Sequence, residues 1–291
     1  MNGISLVSFT VTGFLGKGTF GKVLRVNMKS DPSNEFALKV LSKQFLLKNQ
    51  HLKYAISECN IMRRCSHPFV LKMHYSFQTP DNLFMVLDLC PGGDLSYHLE
   101  RREFFQEKDA KFFIAEVVLA IEYIHSLDVI YRDLKPENIL IDKDGHVKLA
   151  DFGLAKEGIR NNNAKSFCGS PAYLAPEMLT EAGVGKPADI YQLGAVLYEL
   201  LLGITPFYTN NIKKLYNSIQ NEKLQIPTIL SKEAADLLTR QLNKNPKNRI
   251  KIGEVKQHPF FREIDWDLLY KKQLKLPIHL KTEDYADNEE A

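Results

Sequence analysis

The chain has 291 residues, room for about two compact units at roughly 150 residues per domain and for a core that folds without staples. Apolar residues make up 44% and charged residues 25%, which excludes collagen-like, disordered and long coiled-coil classes. Thirty-eight Lys and Arg against 35 Asp and Glu leave a net charge of +3, too near balance for bulk polyanion binding, so no nucleic-acid partner is expected.

Residues 9–41 read as strands: Val23, Val26 and the run Phe36-Ala37-Leu38-Lys39-Val40-Leu41 favour extended structure, with Asp31-Pro32-Ser33-Asn34 as the turn between them. From Leu52 to Met62 the apolar residues Leu52, Ala55, Ile56, Cys59 and Met62 recur at helical spacing, until His67-Pro68 ends the pattern. Two more strands are expected at 69–77 and 83–89, before Pro91-Gly92-Gly93 breaks all periodicity and marks a domain boundary. Beyond it Phe113, Val117, Ala120, Ile121 and Ile124 line one face of a helix that Asp109 is placed to cap. The stretch from Ala188 to Leu202 is apolar on nearly every side and suits a buried central helix, in which Glu199 stands out as an embedded acid. Residues 154–176 show no period, the mark of a functional or disordered loop. Residues 283–291 carry five acids and read as a solvated tail. The four cysteines, Cys59, Cys65, Cys90 and Cys168, form no Cys-x-x-Cys pair, which points to a reducing compartment. No signal core or long uninterrupted apolar stretch is present, so no membrane span is expected, and the location expected is cytoplasmic or nuclear.

Gly16-Lys17-Gly18-Thr19-Phe20-Gly21 is a G-x-G-x-x-G pattern whose bare backbone can approach phosphate oxygens. A dinucleotide fold uses the same spacing but needs a helix next, whereas Lys22-Val23-Leu24-Arg25-Val26 alternates as a strand and makes the glycines a strand-turn-strand lid. Lys39 on the next strand can reach α- and β-phosphates if Glu58 holds it; taken singly, both read equally well as solvated surface charges. Tyr131-Arg132-Asp133-Leu134-Lys135-Pro136-Glu137-Asn138, then Asp151-Phe152-Gly153, then Ala175-Pro176-Glu177 complete an ordered set.

With these motifs the sequence resembles the eukaryotic protein kinases from about Phe9 to Leu268. The Tyr131–Asn138 string, Gly145–Glu157 and His258–Trp266 resemble the AGC serine/threonine group, in particular protein kinase B and S6 kinase relatives. The resemblance implies an α+β bilobal fold: a β-rich N-lobe with one major helix over 1–90, including an extension at 1–8, a larger helical C-lobe over 91–262, and a partial C-terminal tail over 263–291. It implies transfer of the γ-phosphoryl group of ATP, with Mg2+, to Ser or Thr of protein substrates. Such a reaction needs mainly alignment and neutralisation of oxygen charge. Asp133 is expected to orient the substrate hydroxyl and accept its proton, Lys135 to stabilise the transferred group, and Lys39 with Glu58 to hold the nucleotide. Asn138 and Asp151 offer hard oxygen ligands for Mg2+. Gly16, Gly18, Gly21, Val23, Ala37, Leu87, Asp88, Cys90, Asp94 and Leu140 are expected around the nucleotide, with Leu87 guarding the back of the adenine pocket and the backbone at Asp88 and Cys90 bonding adenine.

Ser166 in the long loop matches an activating phosphorylation site, to be filled by an upstream kinase, with Arg132 and Lys156 pairing the phosphate; a plain loop serine is the other reading. Tyr54 stands where the family usually has a further His ligand, so weaker coupling is expected. Asp94, Glu137 and Glu199 match acids that receive basic residues two or three positions before the acceptor, and Ser170 is expected at the substrate. An internal salt bridge is the alternative for Glu199. Ala172 replaces a family Glu. Met62, Met73, Tyr131 and Phe152 match the family's stacked internal column, and Glu177, Arg249 and Asp189 are expected to be structural, the first two as an ion pair. No Phe-x-x-Phe motif follows, so the hydrophobic groove of the N-lobe is expected empty or filled by a partner, and Tyr285 stands near the position of the tail aromatic that covers adenine. A catalytically silent pseudokinase scaffold is the alternative from another class.

Overall fold

The computed structural model describes residues 3–18, 21–157, 169–180, 183–278 and 280. A five-stranded antiparallel sheet in the order β1-β2-β3-β5-β4 comes first, from β1 (Phe9–Gly18), β2 (Gly21–Met28), β3 (Asp31–Ser42), β4 (Met73–Gln78) and β5 (Asn82–Asp88). Strand alternation splits its apolar side chains between two faces. Val26, Leu38, Phe84 and Val86 cluster with Phe9 on the outer one. Ala37, Leu41, Met85 and Leu87 turn inward to the main core, the side on which alternation also places Lys39.

Between β3 and β4 lie a short helix α1 (Lys43–Lys48) and the longer α2 (Leu52–Arg64). The stripe of α2 that buries Ala55, Ile61 and Met62 also buries Glu58, so the periodicity that packs the helix aims this carboxylate inward. The far end of α2 is latched to the second lobe: Ser66 N–H donates to the Tyr123 hydroxyl at 2.8 Å, and that hydroxyl donates to Arg64 O at 3.3 Å.

After β5 the chain runs through 89–94 with Gly92 N–H on Ile141 O (3.1 Å) and Ile141 N–H on Gly93 O (2.8 Å). A Cβ on Gly92 would stand 2.7 Å from Ile141, so only glycine lies this close. The helical lobe follows: α3 (Leu95–Arg102), α4 (Glu107–Ser126), the short strands β6 (Val129–Ile130), β7 (Ile139–Ile141), β8 (Val147–Leu149) and β9 (Lys156–Glu157), then α5 (Lys186–Leu202), α6 (Ile212–Asn221), α7 (Lys232–Gln241), α8 (Ile252–Lys256) and α9 (Trp266–Tyr270). The pairs β6–β9 and β7–β8 are two-stranded ribbons. This is the α+β, two-lobed class expected. Helix α5 is central: from Ala188 to Leu201 every residue is buried except Glu199.

Several local expectations change. The turn sits at Lys29–Ser30, with Met28 opposite Asp31, because the Asp31 carboxylate accepts from Ser33 and Asn34 and organises the first residues of β3. The strand expected from 69 begins at Met73, Val70 making only a single bridge to Leu149. Helix α1, unexpected, is capped by Ser42 Oγ on Phe45 N–H (3.3 Å) and anchored by the one buried residue Leu46. Asp109 does not cap α4: Gln106 holds that position, and Asp109 lies in the first turn, buried, its Oδ1 without a partner among the described residues. Of residues 154–176, part is ordered as β9 and two 3-10 turns at Pro171–Tyr173 and Pro176–Leu179.

Candidate active site

Three side chains expected to act together, Lys39, Glu58 and Asp151, meet between the lobes. Lys39 Nζ donates to Glu58 Oε1 at 2.6 Å, with 18% and 4% of the two side chains exposed. Burial works to lower the lysine, but Glu58 and Asp151 outweigh it and hold Lys39 above its ordinary value. Burial, with the Asp151 charge, raises Glu58, and Lys39 and the backbone N–H of Phe152 draw it only part of the way back. Glu58 therefore ties α2 both to β3 and to the segment that bears Asp151. Phe152 is fully buried and meets the Tyr131 ring edge-on at 5.4 Å. Tyr131 in turn donates its hydroxyl to Ala150 O. Met62 belongs to the same core, and Met73 packs against it.

Asp133 stands on the loop after β6. Asn138 Nδ2 donates to its backbone carbonyl (2.7 Å) and to Oδ2 (3.0 Å), and Ser170 N–H donates to Oδ1 (3.2 Å). Lys135 Nζ lies 3.7 Å from Asp133 Oδ2 and donates to Ser170 Oγ at 2.9 Å. A carboxylate and an ammonium thus form an ion pair bridged by Ser170, the set needed to orient an incoming hydroxyl and neutralise charge as it is phosphorylated. The loop holds Arg132 at φ +70° and the neighbouring segment holds Asp151 at +51°, a left-handed conformation that L residues adopt only when surroundings enforce it. At Arg132 the fully buried Asp189 supplies the enforcement: it accepts from Tyr131 N–H (2.9 Å), Arg132 N–H (2.8 Å) and His125 Nε2 (2.7 Å). Gln192, three residues along α5, accepts from Leu134 N–H (3.2 Å) and donates to Arg132 O (3.1 Å). His125 and Gln192 escaped the sequence reading. A signal was there for Gln192, since Asp189 and Gln192 are two polar residues spaced i, i+3 in an otherwise apolar helix.

Ala37 and Leu87 belong to the main core, and Val23, Cys90 and Leu140 are partly buried against it. Gly16 pairs with Val23, and Gly18 with Gly21, across the β1–β2 hairpin. A Cβ on Gly21 would fall 1.8 Å from Val40 O, so the approach of β3 alone demands glycine there. The Asp88 carboxylate is engaged by His74 Nε2 (2.7 Å) and Lys148 Nζ (3.1 Å), and its N–H donates to Lys72 O. Against the upward push of burial, His74, Lys148 and the Lys72 N–H that donates to Oδ2 (3.2 Å) bring Asp88 down to about 2. Burial and the Asp88 charge push the Cys90 thiol up to about 12. Among the described residues no three or more His, Cys, Asp and Glu side chains could enclose a metal. Asn138 and Asp151, two oxygen donors beside Asp133 and Lys39, suit an ion that takes its other ligands from phosphate and water, as Mg2+ does.

Of the expected substrate acids, Glu199 is half-buried at the rim and accepts from the Tyr173 hydroxyl at 2.5 Å rather than from a cation; the fully buried acid of α5 is Asp189. Burial raises Glu199, and Glu137 adds to the rise. Asp94 caps α3 through Tyr97 N–H (2.9 Å) and is raised by burial and by Glu137. Glu177 and Arg249 form a buried bidentate pair at 2.6 and 2.9 Å. Arg132 is buried with Nε on Leu154 O, and Lys156 pairs with Ile130 through β9. Ser166 and Tyr285 lie outside the described residues. Between α2 and β4–β5 a groove of about 230 Å³ is lined by Leu41, Ile56, Cys59, Phe77, Leu83 and Met85.

Residues 9–261 match the protein kinase domain family. The chain is 42% identical over 287 residues to a RAC family serine/threonine-protein kinase homolog of Dictyostelium discoideum, covering 98% of this chain and 64% of that protein. It is 46% identical over 271 residues to the serine/threonine-protein kinase Sgk1 of Danio rerio, covering 91% and 62%. To human Sgk2 it is 45% identical over 279 residues, covering 94% and 76%. The chain thus spans less than two thirds of the length of the first two relatives.

Proposed function

Because the chain belongs to the protein kinase family, among the serine/threonine kinases of the AGC group, we propose that it transfers the γ-phosphoryl group of ATP to a Ser or Thr hydroxyl of a protein. The observation that carries this reading is the Asp133–Lys135 ion pair bridged by Ser170, together with the intact Lys39–Glu58 pair. Asp133 Oδ1 orients the acceptor hydroxyl and takes its proton, Lys135 neutralises charge on the transferred group, and Lys39, kept charged by Glu58, binds the α- and β-phosphates. When bound, Mg2+ held by Asn138 and Asp151 neutralises the phosphate oxygens. The apolar residues Val23, Ala37, Leu87 and Leu140 receive the adenine.

Asp94, Glu137 and Glu199 favour substrates with basic residues upstream of the acceptor, since two of these acids are raised by burial and by Glu137 and a bound cation relieves both effects. Phosphorylation of Ser166 by an upstream kinase, read by Arg132 and Lys156, activates the enzyme, and a partner's apolar segment in the groove beside α2 steadies Glu58. The purified chain should phosphorylate a basic Ser/Thr peptide with Mg-ATP, and Asp133→Asn should reduce the rate at least a thousandfold. Absence of transfer even after phosphorylation of Ser166 would leave a scaffold instead.

A further inference from the structure

The adenine contacts expected at 88–90 come from the backbone, which leaves the Asp88 side chain to another task. Three donors from both lobes converge on it. Oδ1 accepts from His74 Nε2 at 2.7 Å, and Oδ2 accepts from Lys148 Nζ at 3.1 Å and Lys72 N–H at 3.2 Å. A bulge aims His74: Met73 stands opposite Leu87 and Tyr75 opposite Val86, so His74 is an extra residue in β4, and such an insertion turns one side chain out of the strand's alternation. Its ring also meets Phe36 edge-on at 5.0 Å, and Phe36 pairs with Asp88 across β3–β5. Lys148 comes from the large lobe, directly opposite Leu140 in the β7–β8 ribbon, and opposed residues of a ladder share a face. Residues 69–72 are stitched to both elements: Leu71 N–H donates to Leu149 O and Leu149 N–H to Phe69 O, each at 2.9 Å, while Asp88 N–H donates to Lys72 O at 3.0 Å. With 14–25% of the His74, Asp88 and Lys148 side chains exposed, salt screens these contacts less than surface pairs.

We infer that His74 and Lys148 are positioning residues for the nucleotide base: through Asp88 they fix the backbone of 88–90 against both lobes in the shape that receives adenine. The inference rests on the ATP reading proposed above and adds the side chains that set the base end of the site. A solvated ion pair would need neither the bulge at His74 nor a second donor from the other lobe. Backbone groups that bond a planar base must be held in register before it arrives, and a carboxylate gripped from β4 and β8 does this where the chain passes from one lobe to the other.

Competition with ATP by adenosine and by inorganic tripolyphosphate separates the base end of the site from the phosphate end. Lys148→Met should weaken adenosine about tenfold and leave tripolyphosphate affinity, and kcat at saturating ATP, within about twofold. His74→Phe should act in the same direction, and Lys148→Arg should keep most of the affinity because a cation still reaches Asp88. Equal losses on both inhibitors mean a general fold effect, unchanged adenosine an idle ion pair, and a raised kcat a restraint on the lobes; each overturns the inference. Calorimetry with the same two ligands repeats the comparison without phosphoryl transfer. A chain that binds adenosine but phosphorylates nothing therefore refutes the proposed activity alone, and one that binds none refutes both.

Discussion

Asp189 Oδ1 accepts the backbone N–H of Arg132 at 2.8 Å and so fixes that residue at φ +70°, one position before Asp133. The geometry at the reacting end of the molecule is thus set by a carboxylate on a different element that never faces solvent. Replacement by Asn puts an amide N–H where backbone donors need an acceptor. Asp189→Asn is expected to cost about 2–4 kcal/mol of stability and to lower kcat by more than KM rises, read from urea unfolding and steady-state kinetics. Unchanged kcat in a folded variant contradicts the positioning role.

Lys39 and Glu58 are predicted to act as one unit. Lys39→Met and Glu58→Gln should each reduce kcat/KM for ATP by about two orders of magnitude or more, and the double variant by little beyond the worse single one. Simple multiplication of the two losses in the double variant would show that the ion pair is not the functional entity.

Half-buried His67 gives the fold an acid sensitivity. Burial, with Lys148 nearby, lowers its imidazole to about 4 from 6.5, so between those values the unfolded chain binds more protons than the folded one. Stability then rises with pH and is lost as pH falls from 6.5 toward 4, by about 2 kcal/mol between pH 7 and 5. Asp88, lowered to about 2, acts in the next window: its contribution is complete above the ordinary carboxylate value of 3.8 and disappears as pH falls to about 2. His67→Phe, which keeps a ring against Tyr123 at the present 4.9 Å stacking contact, should flatten the loss between pH 7 and 5 in urea titrations. An unaltered slope assigns it elsewhere.

The pair of Glu177 and Arg249 is buried at both ends, and Arg249 also donates to Asn243 O and Pro187 O. Glu177→Gln is expected to destabilise by about 3–5 kcal/mol, because the remaining charge is uncompensated. Arg249→Lys should also destabilise, since an ammonium cannot serve these partners as a planar fork. Chemical denaturation measures both.

Neutralising the substrate acids should change selectivity more than rate. Glu199→Gln or Asp94→Asn is expected to reduce kcat/KM for a peptide with upstream Arg by about tenfold each, about 1.4 kcal/mol, with little change for the peptide in which Ala replaces that Arg. Equal losses on both peptides point to a fold effect through Tyr173 or the α3 cap.

How far the sequence went depended on the kind of signal. Alternation and helical spacing located β2, β3, α2 and α5, because burial imposes those periods directly. Ordered polar strings named Lys39, Glu58, Asp133 and Asp151; the structure joins Lys39 and Glu58 beside Asp151, and sets Asp133 with Asn138, Lys135 and Ser170. Short elements held by distant partners were not readable: α1 is fixed by Ser42, Leu46 and the bonds of Lys43 to Gln78, Thr79 and Asp81, and Asp109 resembles a cap although Gln106 takes that place. Glu199 drew attention as an acid among apolar residues, yet the acid sealed in the core is Asp189, since composition along a helix does not say which stripe faces the rim. Support from a distance, as in His125 on Asp189 or Tyr173 on Glu199, has no local pattern to betray it.

The Tyr123 latch on Arg64 and Ser66 makes the end of α2 a fulcrum. Glu58 stands six residues up the helix, about 9 Å from it, so a swing of roughly 20° carries its carboxylate about 3 Å and parts it from Lys39. The helix is then a lever pinned to the large lobe at one end, and at the other Leu52 packs on the core while His51 N–H donates to Leu46 O of α1 at 2.8 Å, so a push on α1 reaches Glu58.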